Sequence, residues 1–230
     1  MTLVDFIQLN RFTVILCVLV AECRLSAVKV YQPMARIGIF SGSFDPIHIG
    51  HIAFALQAID RANLDKVYIA PERKPPRKPG ITHPHHRFEM VKLAIRGHDK
   101  IELLELLGNN FTPAKTLPRL KKKFKKDKLF LLMGSDLFEH MHNWPDVEIL
   151  LKEVGLVIGA RGNYEVTESL ATAHNLPAQP RELTILDSIE RDISSKQIRQ
   201  QLRNNHRSDG VVDSVENYAK KHWLYDRVKS

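Results

Sequence analysis

The stretch RIGIFSGSFDPIHIGHIAFAL (36–56) limits what this chain can fold into more than any other. RIGIF (36–40) is a short apolar run and reads as a buried strand. Ser41-Gly42-Ser43 and then Asp45-Pro46 interrupt it with small, turn-forming residues. IGHIAFALQAIDRA (49–62) follows, with apolar residues at Ile52, Leu56 and Ile59, and reads as a helix. A buried strand that turns directly into a helix is the opening half of a crossover between parallel strands.

The same alternation continues down the chain. Strands are expected at KVYIA (66–70), IELLEL (101–106), KLFLLMG (128–134), GLVIGAR (155–161) and ELTILD (182–187). Helices are expected at 85–95, with Phe88, Val91 and Ile95 on one stripe, and at 112–124, with Thr112 as N-cap before Pro113. Others fall at 146–154, 194–204 and 211–224. The fold class is therefore α/β: a doubly wound, mostly parallel sheet with helices on both faces. There is no internal repeat, and no composition break after residue 34.

The 230 residues suffice for one substantial core. The net charge of +8 is local: LPRLKKKFKKDK (117–128) has seven Lys or Arg and one Asp. Only Phe124 interleaves these cations, so the patch reads as a solvated helix face and no nucleic-acid partner is expected. Both cysteines, Cys17 and Cys23, precede residue 34, so the rest of the chain can form neither disulfides nor thiolate zinc sites. That fits a reducing compartment, and the cytoplasm is the expected location.

Residues 12–21 are apolar but too few to span a bilayer, which takes about 20, so no membrane partner is expected. Asp5 offsets Arg11, and Glu22 beside Cys23 spoils a cleavage or lipidation site. Residues 1–33 then read as a poor signal, an extra packed segment or sequence translated upstream of the true start; Met34, just before the first strand, favours the last, and 34–230 reads as the working domain.

In such a sheet, ligands bind beyond the carboxyl ends of the strands. The turn after 36–40 lies there, and the helix start after it offers unpaired N–H groups to anions. Gly42 lets the backbone approach a ligand closely. His48 and His51 stand three apart in the first helical turn, on one face, and can donate to phosphate oxygens. Neither GxxxxGK[ST] nor GxGxxG occurs, so this is neither a P-loop nor a dinucleotide glycine motif. Lys78, in the proline-rich loop, is a candidate phosphate ligand or a mobile surface lysine. His83, His85 and His86 invite a metal reading, but no carboxylate pair is near and a proline intervenes, so no metal site is expected.

GSFDPIHIGH (42–51) resembles the T/HxGH signature of the nucleotidyltransferases, and ISSKQIR (193–199), about 145 residues on, resembles their ISSTxIR. Within that group the chain is most similar to the bacterial nicotinate-nucleotide adenylyltransferases. PPRK (75–78) resembles their PPHK loop, and HRFEMVKLA (86–94) their HRxxMLxLA helix. NNFTPAKTLPRL (109–120) resembles SYTxDTLxxL, and LLMGSDLFEHMHNW (131–144) resembles GxDxxxxLxxW. GLVIGARG (155–162) matches a strand ending in R-x-G, and VENYAKKHWLY (215–225) is close to VxxYIxxHxLY. Departures are Ser43 for Thr, Arg77 for His, Phe111 for Tyr, Lys196 for Thr, and Ala114-Lys115 where an Asp usually stands.

The resemblance implies a Rossmann-like fold and adenylyl transfer from ATP to nicotinate mononucleotide, giving nicotinate adenine dinucleotide and pyrophosphate. It implies that His48, His51 and Arg199 act on the ATP phosphates, His51 on the α-phosphoryl. Gly42, Ser43 and Phe44 line the phosphate path through their main chain, Ser194 and Ser195 hold the β,γ end, and Asp136 takes a ribose hydroxyl or the adenine. Lys78, Thr112, Trp144 and Arg161 then serve the mononucleotide, Trp144 by stacking on the pyridine ring. Mg²⁺ would be held mainly by the ATP phosphates. Pantetheine-phosphate adenylyltransferases share the paired motifs but lack the GxDxxxxLxxW and tail features. Cytidylyltransferases are more distant, and a class I aminoacyl-tRNA synthetase needs an anticodon-binding region for which the chain has no room. A nucleic-acid module using 117–128 is the non-enzyme alternative. The sequence leaves the oligomeric state open, a homo-oligomer included.

Overall fold

Side chains alternate across a strand, so a strand buried on both faces must be apolar at every position. KLFLLMG shows the result: Leu129, Leu131 and Met133 enter one core, and Phe130 and Leu132 the other. The computed structural model describes residues 34–76, 78–160, 163–187, 193–204 and 207–226. Residues 1–33, Arg77 and Arg161 lie outside them, and with them the readings placed there.

Six strands form one parallel sheet: β1 (Arg36–Gly42), β2 (Lys66–Pro71), β3 (Ile101–Leu103), β4 (Lys128–Gly134), β5 (Gly155–Ala160) and β6 (Leu183–Asp187). Their order is β3-β2-β1-β4-β5-β6. Helices α1 (Ile49–Arg61), α2 (Pro84–Ala94), α7 (Ser195–Arg203) and α8 (Asp213–Lys221) supply Ile52, Val91, Ile198 and Val215 to one core. On the other face lie α3 (Pro113–Phe124), α4 (Ser135–Glu139), α5 (Val147–Glu153) and α6 (Asn163–His174), through Leu120, Phe138, Leu150 and Ala173. The chain leaves β1 for one face and β4, its neighbour, for the other. That reversal opens a crevice at the carboxyl ends of β1 and β4.

The differences from the sequence reading have local causes. In α1, Leu56 is 41% exposed, and Ile52, Phe54, Ala55 and Ala58 are buried instead. Its small alanines bring the helix close to the sheet. The third strand ends at Leu103 rather than 106, because Leu104 and Leu106 turn into the second core. Helix α6 was not anticipated: Leu170 is exposed, and Ser169 and Ala173 face inward, so no apolar stripe marks it. The basic run behaves as a solvated face, with Lys121, Lys122 and Lys123 exposed and Leu117, Leu120 and Phe124 buried.

The histidine triad divides its work. His83 is the N-cap of α2, its Nδ1 accepting from the His85 N–H at 3.3 Å. His86 Nδ1 lies 2.9 Å from the Tyr218 hydroxyl, joining α2 to α8. Among the described residues no group of three or more His, Cys, Asp or Glu could hold a metal ion. Burial, with His222, His85 and His83 nearby, pulls the His86 imidazole below its ordinary value near 6.5. The unfolded chain then binds that proton more tightly than the folded one, so its contribution to stability is complete above about pH 6.5 and declines as pH falls below it. His86→Gln should flatten that acid limb when thermal unfolding is followed from about pH 7.5 to about pH 5. An unchanged slope would mean His86 does not carry it.

Candidate functional site

The turn after β1 is held by its carbonyls. The Glu72 N–H donates to the Gly42 oxygen at 2.9 Å, and Arg87 Nη1 to the Ser43 oxygen at 2.6 Å. Arg199 Nη1 donates to the Asp45 oxygen at 2.6 Å, and the Ser195 hydroxyl to the Pro46 oxygen at 2.9 Å. Four carbonyls thus face protein donors, two of them from the second signature. The signatures at 42–51 and 193–199 meet in space through these bonds.

Behind the turn sits Arg87, fully buried. Besides Ser43 it donates to the carbonyls of Thr82 at 2.9 Å, Glu72 at 2.6 Å and Arg73 at 3.1 Å. Burial lowers its affinity for the proton, while Asp45, Tyr225 and Glu72 oppose that shift. A guanidinium keeps its charge regardless. Asp45 is also buried: Oδ1 accepts from the Tyr225 hydroxyl at 2.7 Å and Oδ2 from the Thr82 N–H at 3.2 Å. Burial, reinforced by the Asp45 charge, raises the Tyr225 phenol far above its ordinary range, so it stays a donor.

A cavity of about 620 Å³ opens over this turn, lined by Ser43, His48, His51, Lys78, Asp136, Ser194, Ser195 and Arg199, and also by Lys196 and Arg203. His48 and His51 stack with centroids 3.6 Å apart. His51 Nδ1 accepts from the His48 N–H at 3.2 Å, which places the ring proton on Nε2. The Phe44 ring is buried against Phe40 at 5.2 Å and against His51 at 5.0 Å, so only its main chain remains for a ligand. Ser194 is the N-cap of α7, accepting from the Gln197 N–H at 3.3 Å. Asp136 sits in the first turn of α4, whose N-cap is Gly134. A Cβ on Gly134 would stand 2.8 Å from the Asp136 carboxylate, so a larger residue there would turn that exposed carboxylate aside.

A second cavity, about 410 Å³, adjoins the first and shares Ser43 and Lys78 with it. Lys78 Nζ donates to the Ser43 hydroxyl at 2.9 Å, at that junction. Its other walls are mainly apolar, including Gly42, Pro75, Phe111, Thr112, Leu137 and Trp144. Trp144 packs against the second core and also lines this cavity, 6.3 Å from the Phe111 ring. Thr112 is the N-cap of α3 by position, but its hydroxyl makes no capping bond and meets no partner among the described residues. The Thr116 hydroxyl instead accepts from the Thr112 N–H at 3.0 Å.

Of the described residues singled out from sequence, all but Gly42, Phe44, Thr112 and Trp144 line the first cavity; Gly42, Thr112 and Trp144 line the second. Three residues went without a role: Arg87, Asp45 and Tyr225. Arg87 carried a signal, since it shares the stripe of Phe88, Val91 and Ala94, where a lone cation is out of place.

The cytidylyltransferase-like family model matches residues 39–201. The nicotinate-nucleotide adenylyltransferase of Bacillus subtilis is 32% identical over 200 residues, covering 84% of this chain and all of the relative. A probable nicotinate-nucleotide adenylyltransferase of Shewanella frigidimarina is 34% identical over 209 residues, covering 83% and 99%. Among solved structures, Plasmodium falciparum nicotinic acid mononucleotide adenylyltransferase complexed with NaAD superposes with a TM-score of 0.69. It is 22% identical and covers 83% of this chain and 97% of its own.

Replacing Arg87 by Met would strand four carbonyls. It should destabilise the fold by about 3 kcal/mol or more, read from denaturant unfolding.

Proposed function

The chain belongs to the nicotinate-nucleotide adenylyltransferases, within the cytidylyltransferase-like family, and from that premise we propose how its two cavities divide the reaction. The reaction is adenylyl transfer: a phosphate oxygen of nicotinate mononucleotide bonds to the α-phosphorus of ATP, and the bond to the β-phosphate oxygen breaks. The products are nicotinate adenine dinucleotide and pyrophosphate. ATP takes the cation-rich cavity and the mononucleotide the apolar one. The observation that carries this reading is their junction at Ser43 and Lys78. There the acceptor phosphate and the α-phosphoryl group meet, and the Lys78 ammonium offsets their repulsion.

The acceptor phosphate is ionised at neutral pH, so the site needs no general base. What remains is alignment and neutralisation of charge on the phosphoryl oxygens. His51 donates from Nε2 toward the α-phosphoryl, and His48 stacks beside it. Arg199, already oriented by the Asp45 carbonyl, serves the leaving pyrophosphate, and Ser194, whose hydroxyl donates to Gln197 Oε1 at 2.7 Å, holds the start of α7 beside it. Ser195 spends its proton on Pro46, so it anchors the second signature to the first and has only lone pairs left to offer a ligand's donor. In the second cavity the pyridine ring stacks on Trp144, with Thr112 near the nicotinate carboxylate.

The donors of the first cavity suit Mg²⁺ held through ATP. Cations and imidazoles predominate, and Asp136 is a carboxylate available to it or to its water shell. When bound, the ion neutralises charge on the triphosphate. Among the described residues no helix is long and apolar enough to cross a membrane. We place the reaction in the cytoplasm, a reading favoured by its ATP dependence and by a body without cysteine.

The test is pyrophosphate release. It should appear with ATP, Mg²⁺ and nicotinate mononucleotide, and not with ATP alone or with phosphopantetheine as acceptor. His51→Ala should lower kcat by about 10²–10³-fold. Trp144→Ala should raise KM for the mononucleotide about tenfold and leave kcat nearly unchanged. Turnover indifferent to His51 would overturn the role given to it.

A further inference from the structure

The last described segment, after α8, sits far from both signatures in sequence yet closes on the ATP cavity. The Tyr225 hydroxyl donates to Asp45 Oδ1 at 2.7 Å. The Asp45 carbonyl accepts from Arg199 at 2.6 Å. Arg199 and Arg203 stand four apart on α7, hence on one face, and Arg203 Nε donates to the Tyr225 carbonyl at 3.1 Å. Three hydrogen bonds and one turn of α7 thus close a ring through Tyr225, Asp45, Arg199 and Arg203. Three of its four members, all but Tyr225, line the first cavity.

We propose that Tyr225 is a positioning residue for ATP: without touching the nucleotide, it fixes Asp45 and thereby the orientation of the Arg199 guanidinium toward the phosphates. This rests on the assignment of the cation-rich cavity to ATP made above. A guanidinium held by one carbonyl can still rotate about that bond. It stays aimed only if the carbonyl is itself fixed. Asp45 is fixed from three sides: Tyr225 and Thr82 take its carboxylate, and Arg199 its carbonyl. Of the two carboxylate donors, Tyr225 is the side chain that a conservative substitution can silence. Arg203 makes the coupling two-sided, since movement of the Tyr225 backbone also releases a second cavity cation.

Tyr225→Phe removes the hydroxyl and keeps the ring. Kd for ATP, measured calorimetrically without acceptor, should rise about tenfold, while KM for nicotinate mononucleotide stays within about twofold. In an Arg199→Lys background the same substitution should have almost no further effect, because its target is gone. A purely structural Tyr225 would give the same factor in both backgrounds. Full additivity, or unchanged ATP affinity in Tyr225→Phe, overturns the proposal. If the phenylalanine variant does not fold, the wild type answers instead. By reciprocity, ATP must slow amide hydrogen exchange in residues 222–226, and unchanged exchange there overturns the inference. ATP binding coupled to Tyr225 in a protein that does not turn over nicotinate mononucleotide would retain this inference and remove the assigned reaction.

Discussion

A turn that offers its amide side to phosphate must do something with its carbonyls, and here they point into protein. Left unpaired in the interior, each would cost about 1–3 kcal/mol. The chain answers with donors from four residues in three places: the Glu72 backbone, Arg87 in α2, and Ser195 and Arg199 in α7. Once these are set, the turn has no orientation left to choose. The short distance from the Ser43 oxygen to Arg87, and the full burial of that cation, make the α2 arginine the centre of the arrangement.

From that centre the two cavities acquire opposite characters. Residues reached through α7 and the His48–His51 pair are cationic or donating, and suit a triphosphate. Residues reached through the loop before α3 and the end of α4 are aromatic and apolar, and suit a flat ring. Only Ser43 and Lys78 belong to both sides. In the proposed reaction two anions approach each other there, and a lysine tethered to the turn is the group that would lower that cost. The sheet order supports the division, because β1 and β4 send their connections to opposite faces and leave the crevice between.

Much of this was readable from the chain alone. Strand runs such as KLFLLMG are apolar at nearly every position, and the structure places that strand over the same residues. His48 and His51 could be picked out because they stand at a turn and helix start beyond a buried strand, whereas Ser194 and Arg199 were named only through the resemblance of ISSKQIR to ISSTxIR. Helix α6 escaped because its inward face is built from Ser169 and Ala173, which carry no hydrophobic signal. The dual use of Ser195 escaped for another reason: a hydroxyl's partner 149 residues away in sequence leaves no local trace. Asp45 and Tyr225, separated by 180 residues, are the same case. Periodicity reports which side of an element is buried, and not which polar groups meet once it is.

The side chains that hold this site together are also those that the proposed reaction uses, and that overlap has an energetic consequence. Arg199 loses its rotamer freedom when the protein folds, since the Asp45 carbonyl already holds it. Lys78 is likewise tied to Ser43. Ordering such long side chains at the moment of binding would cost about 0.5–1.5 kcal/mol each, and folding has met that cost beforehand. Lys196 lines the same cavity and, like Lys78, is exposed, but among the described residues it makes no bond to the turn. A cation in that state contributes charge to an arriving triphosphate without fixing its geometry, whereas Arg199 supplies both. In the proposed reaction, alignment at the α-phosphorus therefore rests on the groups ordered by the fold, and the freer lysine serves attraction at longer range.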